Sequence, residues 1–182
     1  MLEISYGQVL AAVTALWVLV RSAAALRRGR IDWKRECLLL TVYACIAVIA
    51  RLVYFHLGHV DGRIDPLRFD PDRILPLWVT LKPLNFLRDR YDGWQMNLIG
   101  NIAMFVPVGI ILPLCFRKLD RVWKVALAGF GWSLLIELSQ LLFYERNSDV
   151  DDLILNTAGA FLGALLFFGI RALVRRGKRD AA

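Results

Sequence analysis

Acidic and amide side chains are concentrated near one end of several long apolar segments of the chain. Glu137 and Gln140 lie three residues apart, and Asn97 and Asn101 lie four apart. Each pair would therefore share one face of a helix. Polar groups inside a membrane are costly, so those found there are candidates for function. The candidates within or beside the apolar segments are Arg51, Asn97, Asn101, Glu137, Gln140, Asp152 and Asn156.

Glu137 is the candidate best suited to chemistry. A carboxylate at its depth needs a cation, several hydrogen-bond donors or a proton. Arg51 is the candidate cation at a matching depth. A purely structural ion pair between Arg51 and Glu137 is the alternative to a functional role.

Several other polar residues have structural explanations. Asn97 and Asn101 are typical of hydrogen bonds between membrane helices, which contribute about 0.6 kcal/mol each. Ser148 or Asp151 would cap the last apolar segment, because side-chain oxygens favour helix N-termini. Arg21, near the other end of the first segment, is expected to extend towards lipid headgroups.

Five apolar segments are long enough to position these residues inside a membrane. A spanning helix needs about 20 mostly apolar residues, and 58% of the 182 residues are hydrophobic. The predicted spans are about 4–26, 37–57, 95–116, 122–144 and 152–174. Only helices and closed barrels satisfy their backbone in lipid. We therefore predict an all-α polytopic transmembrane bundle that forms a single domain over residues 1–182.

The basic residues predict the orientation of the spans. Lys and Arg cluster after the first, third and fifth spans, and these three stretches lie on one side of the membrane. The positive-inside rule makes that side cytoplasmic, with the N-terminus outside and the C-terminus inside. The net charge of +7 is explained by topology, so a nucleic-acid partner is not expected.

The long connection 58–94 is then extracytoplasmic. Its apolar run 74–87 is too short and too rich in proline to span, and is expected to lie on or dip into the outer membrane face.

The depths of four polar residues coincide. At about 1.5 Å per residue, Arg51, Asn101, Glu137 and Asn156 lie roughly 6–11 Å from the outer ends of their spans. This spacing predicts one polar layer beneath the outer surface.

Glycines in the last two spans predict close helix packing. Gly159 and Gly163 form a small-xxx-small face on the fifth span, and Gly129 and Gly131 are expected to act similarly on the fourth.

Three sequence motifs resemble the VanZ family over residues 75–168. They are NLIGNIAMFVPVGIILP, LLIELSQLLF and RNSDVDDLILNTAGAFLGALL. The resemblance implies a multi-pass protein of the bacterial cytoplasmic membrane, and the founding family member is associated with tolerance to the acylated glycopeptide teicoplanin. The positions that match family motifs are Asn97, Asn101, Glu137, Gln140, Arg146, Asp149, Asp152, Asn156 and Gly159.

Three functions are compatible with this pattern. The first is an envelope protein that contacts membrane lipids and binds a lipid-linked or acylated small molecule in the outward polar layer. The second is an intramembrane enzyme acting on a lipid-linked intermediate. Glu137 would then be its acid or base, and Asp149 and Asp152 would be able to hold a divalent cation. The third is a transporter or channel, which the lack of repeats and of polar residues in the inner half disfavours.

Overall fold

The computed structural model describes residues 2–55, 64–70, 79–85, 93–144 and 146–180. Of these described residues, 76% are helical. The described helices are α1 (Tyr6–Arg28), α2 (Trp33–Tyr54), α3 (Trp94–Cys115), α4 (Val122–Gln140) and α5 (Val150–Asp180). The described strands are β1 (Leu2–Ile4), β2 (Leu67–Phe69), β3 (Val79–Thr80) and β4 (Ser148–Asp149).

All five helices are long and apolar enough to cross a membrane, which confirms the predicted helical fold and the number of spans. Their ends differ from the prediction by four or more residues in three places. The first turn of α2 comes four residues earlier, because Asp32 caps it by accepting a hydrogen bond from the Arg35 backbone N–H at 3.2 Å. Helix α4 ends at Gln140, and α5 continues to Asp180. The orientation of the spans stays a prediction.

The chain divides into two compact units. The first comprises Met1–Trp78 with Ser139–Asn147, and the second comprises Val79–Leu138 with Ser148–Ala182. Helices α1 and α2 belong to the first unit, and α3 and α5 belong to the second. The assignment of the whole chain to a single domain stays a prediction.

Helices α1 and α2 of the first unit are joined by polar contacts. The hydroxyl groups of Thr14 and Tyr43 lie 2.7 Å apart, and the Arg21 guanidinium forms a two-pronged ion pair with the Glu36 carboxylate. Arg21 thus pairs with an acid on the neighbouring helix, and the expectation that it extends to lipid headgroups is wrong. The sequence reasoning missed Glu36, which lies in the first turn of α2.

The other end of the first unit combines a small sheet with aromatic packing. Strands β1 and β2 pair antiparallel. The Phe143 ring makes edge-to-face contacts with Tyr54 and Phe69, with centroid distances of 5.8 and 6.2 Å. The Tyr54 hydroxyl also forms a hydrogen bond with that of Ser139. These contacts attach the segment that follows α4 to the end of α2.

Helices α3 and α5 of the second unit run parallel in close contact, because glycines lie at their interface. A Cβ atom on Gly159 would overlap the Ile102 carbonyl oxygen, and one on Gly163 would overlap that of Val106. Gly109 on α3 approaches the α5 backbone equally closely. The predicted small-residue face on the fifth span is therefore confirmed.

Helix α4 contributes a single glycine to this packing. A Cβ atom on Gly129 would overlap the Ala160 side chain, whereas one on Gly131 would have open space within 4 Å. The packing role predicted for Gly131 is wrong.

Candidate functional site

The site is built around the beginning of α5, where Asp149 caps the helix. Its Oδ1 atom accepts a hydrogen bond from the Asp151 backbone N–H at 2.9 Å. This satisfies one of the amide groups that a helix N-terminus leaves without a partner. The prediction that Ser148 or Asp151 caps this helix is therefore wrong. Those two side chains form other contacts.

Asp151 anchors the connection that precedes α3. The residue is 4% exposed, and its carboxylate accepts hydrogen bonds from the backbone N–H groups of Leu84 and Asn85, the second at 2.8 Å. Leu84 has a φ of 60°, a left-handed conformation that is unfavourable for a leucine. The two charge-assisted hydrogen bonds stabilise this conformation.

Strand pairing attaches the same connection a second time. Strand β3 pairs parallel with β4, so that Val79 lies beside Ser148 and Thr80 beside Asp149. The described part of the apolar run 74–87 is therefore attached at two points to the beginning of α5.

Asp152, one position further along α5, accepts hydrogen bonds from two amides of α3. Its Oδ1 atom lies 2.6 Å from Asn101 Nδ2 and 3.4 Å from Asn97 Nδ2. Asn101 Nδ2 also donates to Asn97 Oδ1 at 3.0 Å. The structure thus brings together three candidates from two different helices.

Glu137 of α4 is 4% exposed and lies beside the same group. Its Oε2 atom accepts a hydrogen bond from the Asp149 backbone N–H at 2.8 Å, and the Ser148 side chain forms a further hydrogen bond with it. The carboxylates of Asp149 and Asp152 lie close enough to Glu137 to interact with it electrostatically. We call Glu137, Asp149, Asp152, Asn97 and Asn101 the acid–amide cluster.

Asp149 lies outside the helices, and its environment favours its neutral form. Burial raises the pKa of the Asp149 carboxyl, and the nearby Asp151 charge raises it further. The hydrogen bond from the Asp151 backbone opposes this effect by stabilising the anion. The cluster therefore contains an acid that is protonated more readily than an exposed aspartate.

A buried hydrogen bond lies deeper along the same helices. Asn156 Nδ2 donates to the Ser133 hydroxyl at 3.0 Å, and the two residues are 2% and 0% exposed. The sequence reasoning missed Ser133, although it lies four residues before Glu137 and so on the same face of α4. This spacing was the signal that could have identified it.

The remaining candidates belong to the first unit. The Arg51 guanidinium donates to the Phe55 carbonyl oxygen at 3.1 Å and lies 5.9 Å from the centroid of the Tyr6 ring. Gln140 is 6% exposed at the end of α4. The Arg146 backbone N–H donates to the Phe143 carbonyl oxygen at 3.2 Å. A pairing of Arg51 with Glu137 stays a prediction.

Asp149 and Asp152 are the candidate ligands for a divalent cation. Asp149 and Asp152 each use one carboxylate oxygen for the hydrogen bonds described above. Within the described ranges, there is no group of three or more His, Cys, Asp or Glu side chains that could hold a metal ion. Binding of a divalent cation by Asp149 and Asp152 stays a prediction.

Comparison with known proteins identifies the family of the chain. The VanZ/LLP1 family model matches residues 37–173, which includes every residue of the acid–amide cluster. The chain is similar to the Protein VanZ of Enterococcus faecium, with 34% identity over 86 residues. This match covers 47% of the chain and 53% of that protein, so the chain spans about half the length of this relative. No solved structure matches the chain. The extent of the family match shows that the chain belongs to the VanZ-like family of multi-pass membrane proteins.

Proposed function

We propose that this protein binds the polar head of a lipid-linked or lipid-like envelope molecule at the acid–amide cluster. One observation carries the proposal. The buried Glu137, the half-buried Asp152, the capping Asp149 and the amides of Asn97 and Asn101 belong to three helices and a strand, and they meet at the common N-terminal end of α3 and α5. These helices are apolar enough to span a membrane. Intramembrane polar groups that converge in this way are typical of a binding site.

The composition of the cluster indicates which ligand groups it favours. Carboxylate oxygens only accept hydrogen bonds when ionised, so the ligand would present hydroxyl, amide or ammonium groups. Beside the cluster on α3, Met96 and Ile99 are 75% and 63% exposed. A ligand with an acyl or polyprenyl chain would contact these apolar side chains while its head reaches the acids. Sugar-bearing and peptide-bearing lipids have this combination.

An acylated glycopeptide such as teicoplanin has the same combination of a polar head and an apolar chain. We therefore extend the proposal to glycopeptide tolerance, with the cluster facing the outer leaflet of the cytoplasmic membrane. This orientation follows from the predicted topology, and the extension rests on the family resemblance.

A deletion host complemented with defined variants tests the proposal. Deletion should increase sensitivity to teicoplanin or change the composition of the envelope lipids, and the wild-type gene should restore both. Asn101→Leu should fail to complement, because the variant loses the donor to Asp152. Asp180→Asn, an exposed acid at the end of α5, is the matched control and should complement fully. A normal phenotype after deletion, or full complementation by an Asn101→Leu protein present at normal levels, would contradict the proposal.

A glycopeptide with the same core but without the acyl chain separates the two parts of the proposed ligand. If the apolar chain contributes to binding, deletion should change sensitivity to the acylated compound more than to the non-acylated one. Equal changes would remove the lipid-like part of the proposal.

The alternative is an intramembrane enzyme that acts on a lipid-linked intermediate, with Glu137 as acid or base. The observation in its favour is that the Asp149 backbone N–H orients the buried Glu137 carboxylate, and that Asp149 and Asp152 lie close to it. Purified protein should convert a polyprenyl-linked substrate, and Glu137→Gln should abolish this turnover while substrate still binds. An active Glu137→Gln variant would exclude this role.

A further inference from the structure

The C-terminal part of α5 extends beyond the helix against which it packs. Helix α5 has 31 residues, about 46 Å, whereas the hydrocarbon core of a bilayer is about 30 Å thick. The contacts between α3 and α5 progress from Asn101 beside Asp152 to Ile110 beside Leu166 and Phe167. If the two helices keep this register, the last residue of α3, Cys115, lies beside the region of Arg171. The rest of α5 then extends past the end of α3.

This extension is strongly basic on one side. From Arg171 to Asp180 it carries five basic residues and a single acid. At 3.6 residues per turn, Arg171, Arg175, Lys178 and Arg179 lie within an arc of about 100°. Leu173 lies on the opposite side. All of the residues from 171 to 180 are exposed. We call Arg171, Arg175, Lys178 and Arg179 the basic face.

An apolar groove ends at the first residue of the basic face. It has a volume of about 160 Å³ and is lined by Ile110 of α3 and by Leu166, Phe167, Ile170 and Arg171 of α5. Its lining is entirely apolar, so Arg171 lines the groove with its aliphatic stem. The groove can accept a hydrocarbon chain, and the neighbouring Arg171 guanidinium can bind a phosphate through two hydrogen bonds. Together they are complementary to a phospholipid.

We propose that the C-terminal extension of α5 is a binding site for anionic phospholipids, with an acyl chain in the groove and the phosphate at the basic face. Basic clusters directly after a membrane helix attract anionic headgroups at the membrane surface. The positive charge of the basic face favours an anionic lipid over a zwitterionic one. The apolar groove favours a lipid over a free phosphate ion.

Titration of lipid into the detergent-purified full chain tests this proposal. Phosphatidylglycerol is the anionic probe and phosphatidylcholine the zwitterionic one, and the dissociation constant is measured for each. Phosphatidylglycerol should bind more tightly. Each basic residue near a membrane surface contributes about fivefold in affinity, so the triple variant Arg171→Gln, Arg175→Gln, Lys178→Gln should weaken binding by about 100-fold.

Two control variants separate this site from a general effect of charge. The triple variant Arg117→Gln, Lys118→Gln, Arg121→Gln removes the same charge from the connection after α3, and should change the affinity for phosphatidylglycerol less than twofold. The double variant Leu173→Arg with Arg175→Leu keeps the net charge but moves one guanidinium to the opposite side. This variant should weaken binding by about fivefold. Equal losses in the two triple variants, an unchanged affinity in the double variant, or equal binding of both lipids would overturn the proposal.

Discussion

At the scale of single residues, the acids in and beside the acid–amide cluster accept hydrogen bonds from neutral donors. Asp152 is bound by side-chain amides, Asp151 by backbone N–H groups, and Glu137 by a backbone N–H and a hydroxyl. Hydrogen bonds to an ionised acceptor are roughly twice as strong as those between neutral groups. Donors of this kind hold each carboxylate in one orientation.

The Asp152 carboxylate should contribute measurably to stability. Asp152→Ala removes the carboxylate that accepts hydrogen bonds from the Asn97 and Asn101 amides, at a cost of about 1–3 kcal/mol in the free energy of unfolding. Denaturant unfolding in detergent measures this loss. The exposed Asp180 serves as the control, because Asp180→Ala should change stability by no more than about 0.5 kcal/mol. Equal stability of the two variants would contradict the importance of these hydrogen bonds.

The pH dependence of stability should report the raised pKa of Asp149. Because burial raises this pKa above the unfolded value of about 3.9, the folded state binds more protons in the interval between the two values. The stability contributed by Asp149 is therefore fully present below the unfolded pKa, and it falls as the pH rises through the folded pKa.

Asp149→Asn keeps the capping oxygen and removes the titration. The free energy of unfolding of the wild type relative to this variant should decrease as the pH rises above about 4. Unfolding curves collected across a pH series measure the difference. A difference that is constant with pH would mean that the pKa of Asp149 is the same in the folded and unfolded states.

At the scale of elements, the glycine contacts set the distance between α3 and α5. Close backbone approach through small residues is a common basis of helix association in membranes. Because α3 and α5 begin at the same end, this approach brings Asn97 and Asn101 within hydrogen-bonding distance of Asp152. The geometry of the cluster therefore depends on residues two to three turns away from it.

Two glycines of α5 allow a direct test of this dependence. A Cβ atom on Gly163 would overlap the Val106 carbonyl oxygen, whereas one on Gly169 would meet open space within 4 Å. Gly163→Ala should destabilise the protein by about 1–3 kcal/mol through overpacking. Gly169→Ala should be neutral or stabilise it by up to about 1 kcal/mol, since alanine is the better helix former. Thermal unfolding in detergent compares the two, and similar midpoints would contradict the close packing.

At the scale of the whole molecule, the remaining prediction is the direction in which the chain crosses the membrane. The distribution of Lys and Arg places the N-terminus outside and the C-terminus inside. Leu2 is 64% exposed, and Asp180 is exposed at the end of α5, so either position can carry a label.

Cysteine labelling determines this direction. The three native cysteines, Cys37, Cys45 and Cys115, would first be replaced by alanine. In that background, Leu2→Cys should react with a membrane-impermeant thiol reagent in intact cells. Asp180→Cys should react only after the membrane is permeabilised. The reverse pattern would refute the predicted orientation and would place the acid–amide cluster at the cytoplasmic surface.

The sequence was sufficient to predict the helical fold and part of the site. Apolar length predicted the five spans, and the matching depths of Asn101 and Glu137 predicted a shared polar layer. In the structure both residues lie near Asp152. The hydrogen bonds from Leu84 and Asn85 to Asp151 could not be predicted, because they depend on a left-handed backbone conformation that leucine rarely adopts.

The extent of α5 was underestimated for a different reason. The predicted span ended at 174, just before the run of charged residues that begins at Arg175. A helix outside the hydrocarbon does not need apolar side chains, and Arg and Lys are good helix formers. Charge therefore marked the end of the membrane segment but not the end of the helix.

The glycines between α3 and α5 also have a genetic consequence. Every single-nucleotide missense change of a glycine codon introduces a side chain, and at Gly109, Gly159 and Gly163 the first carbon of any side chain would overlap the neighbouring backbone. No conservative replacement exists at these codons. In a random mutant library selected for a functional protein, these three codons should be nearly invariant, whereas the codons of Gly131 and Gly169 should accept alanine and serine.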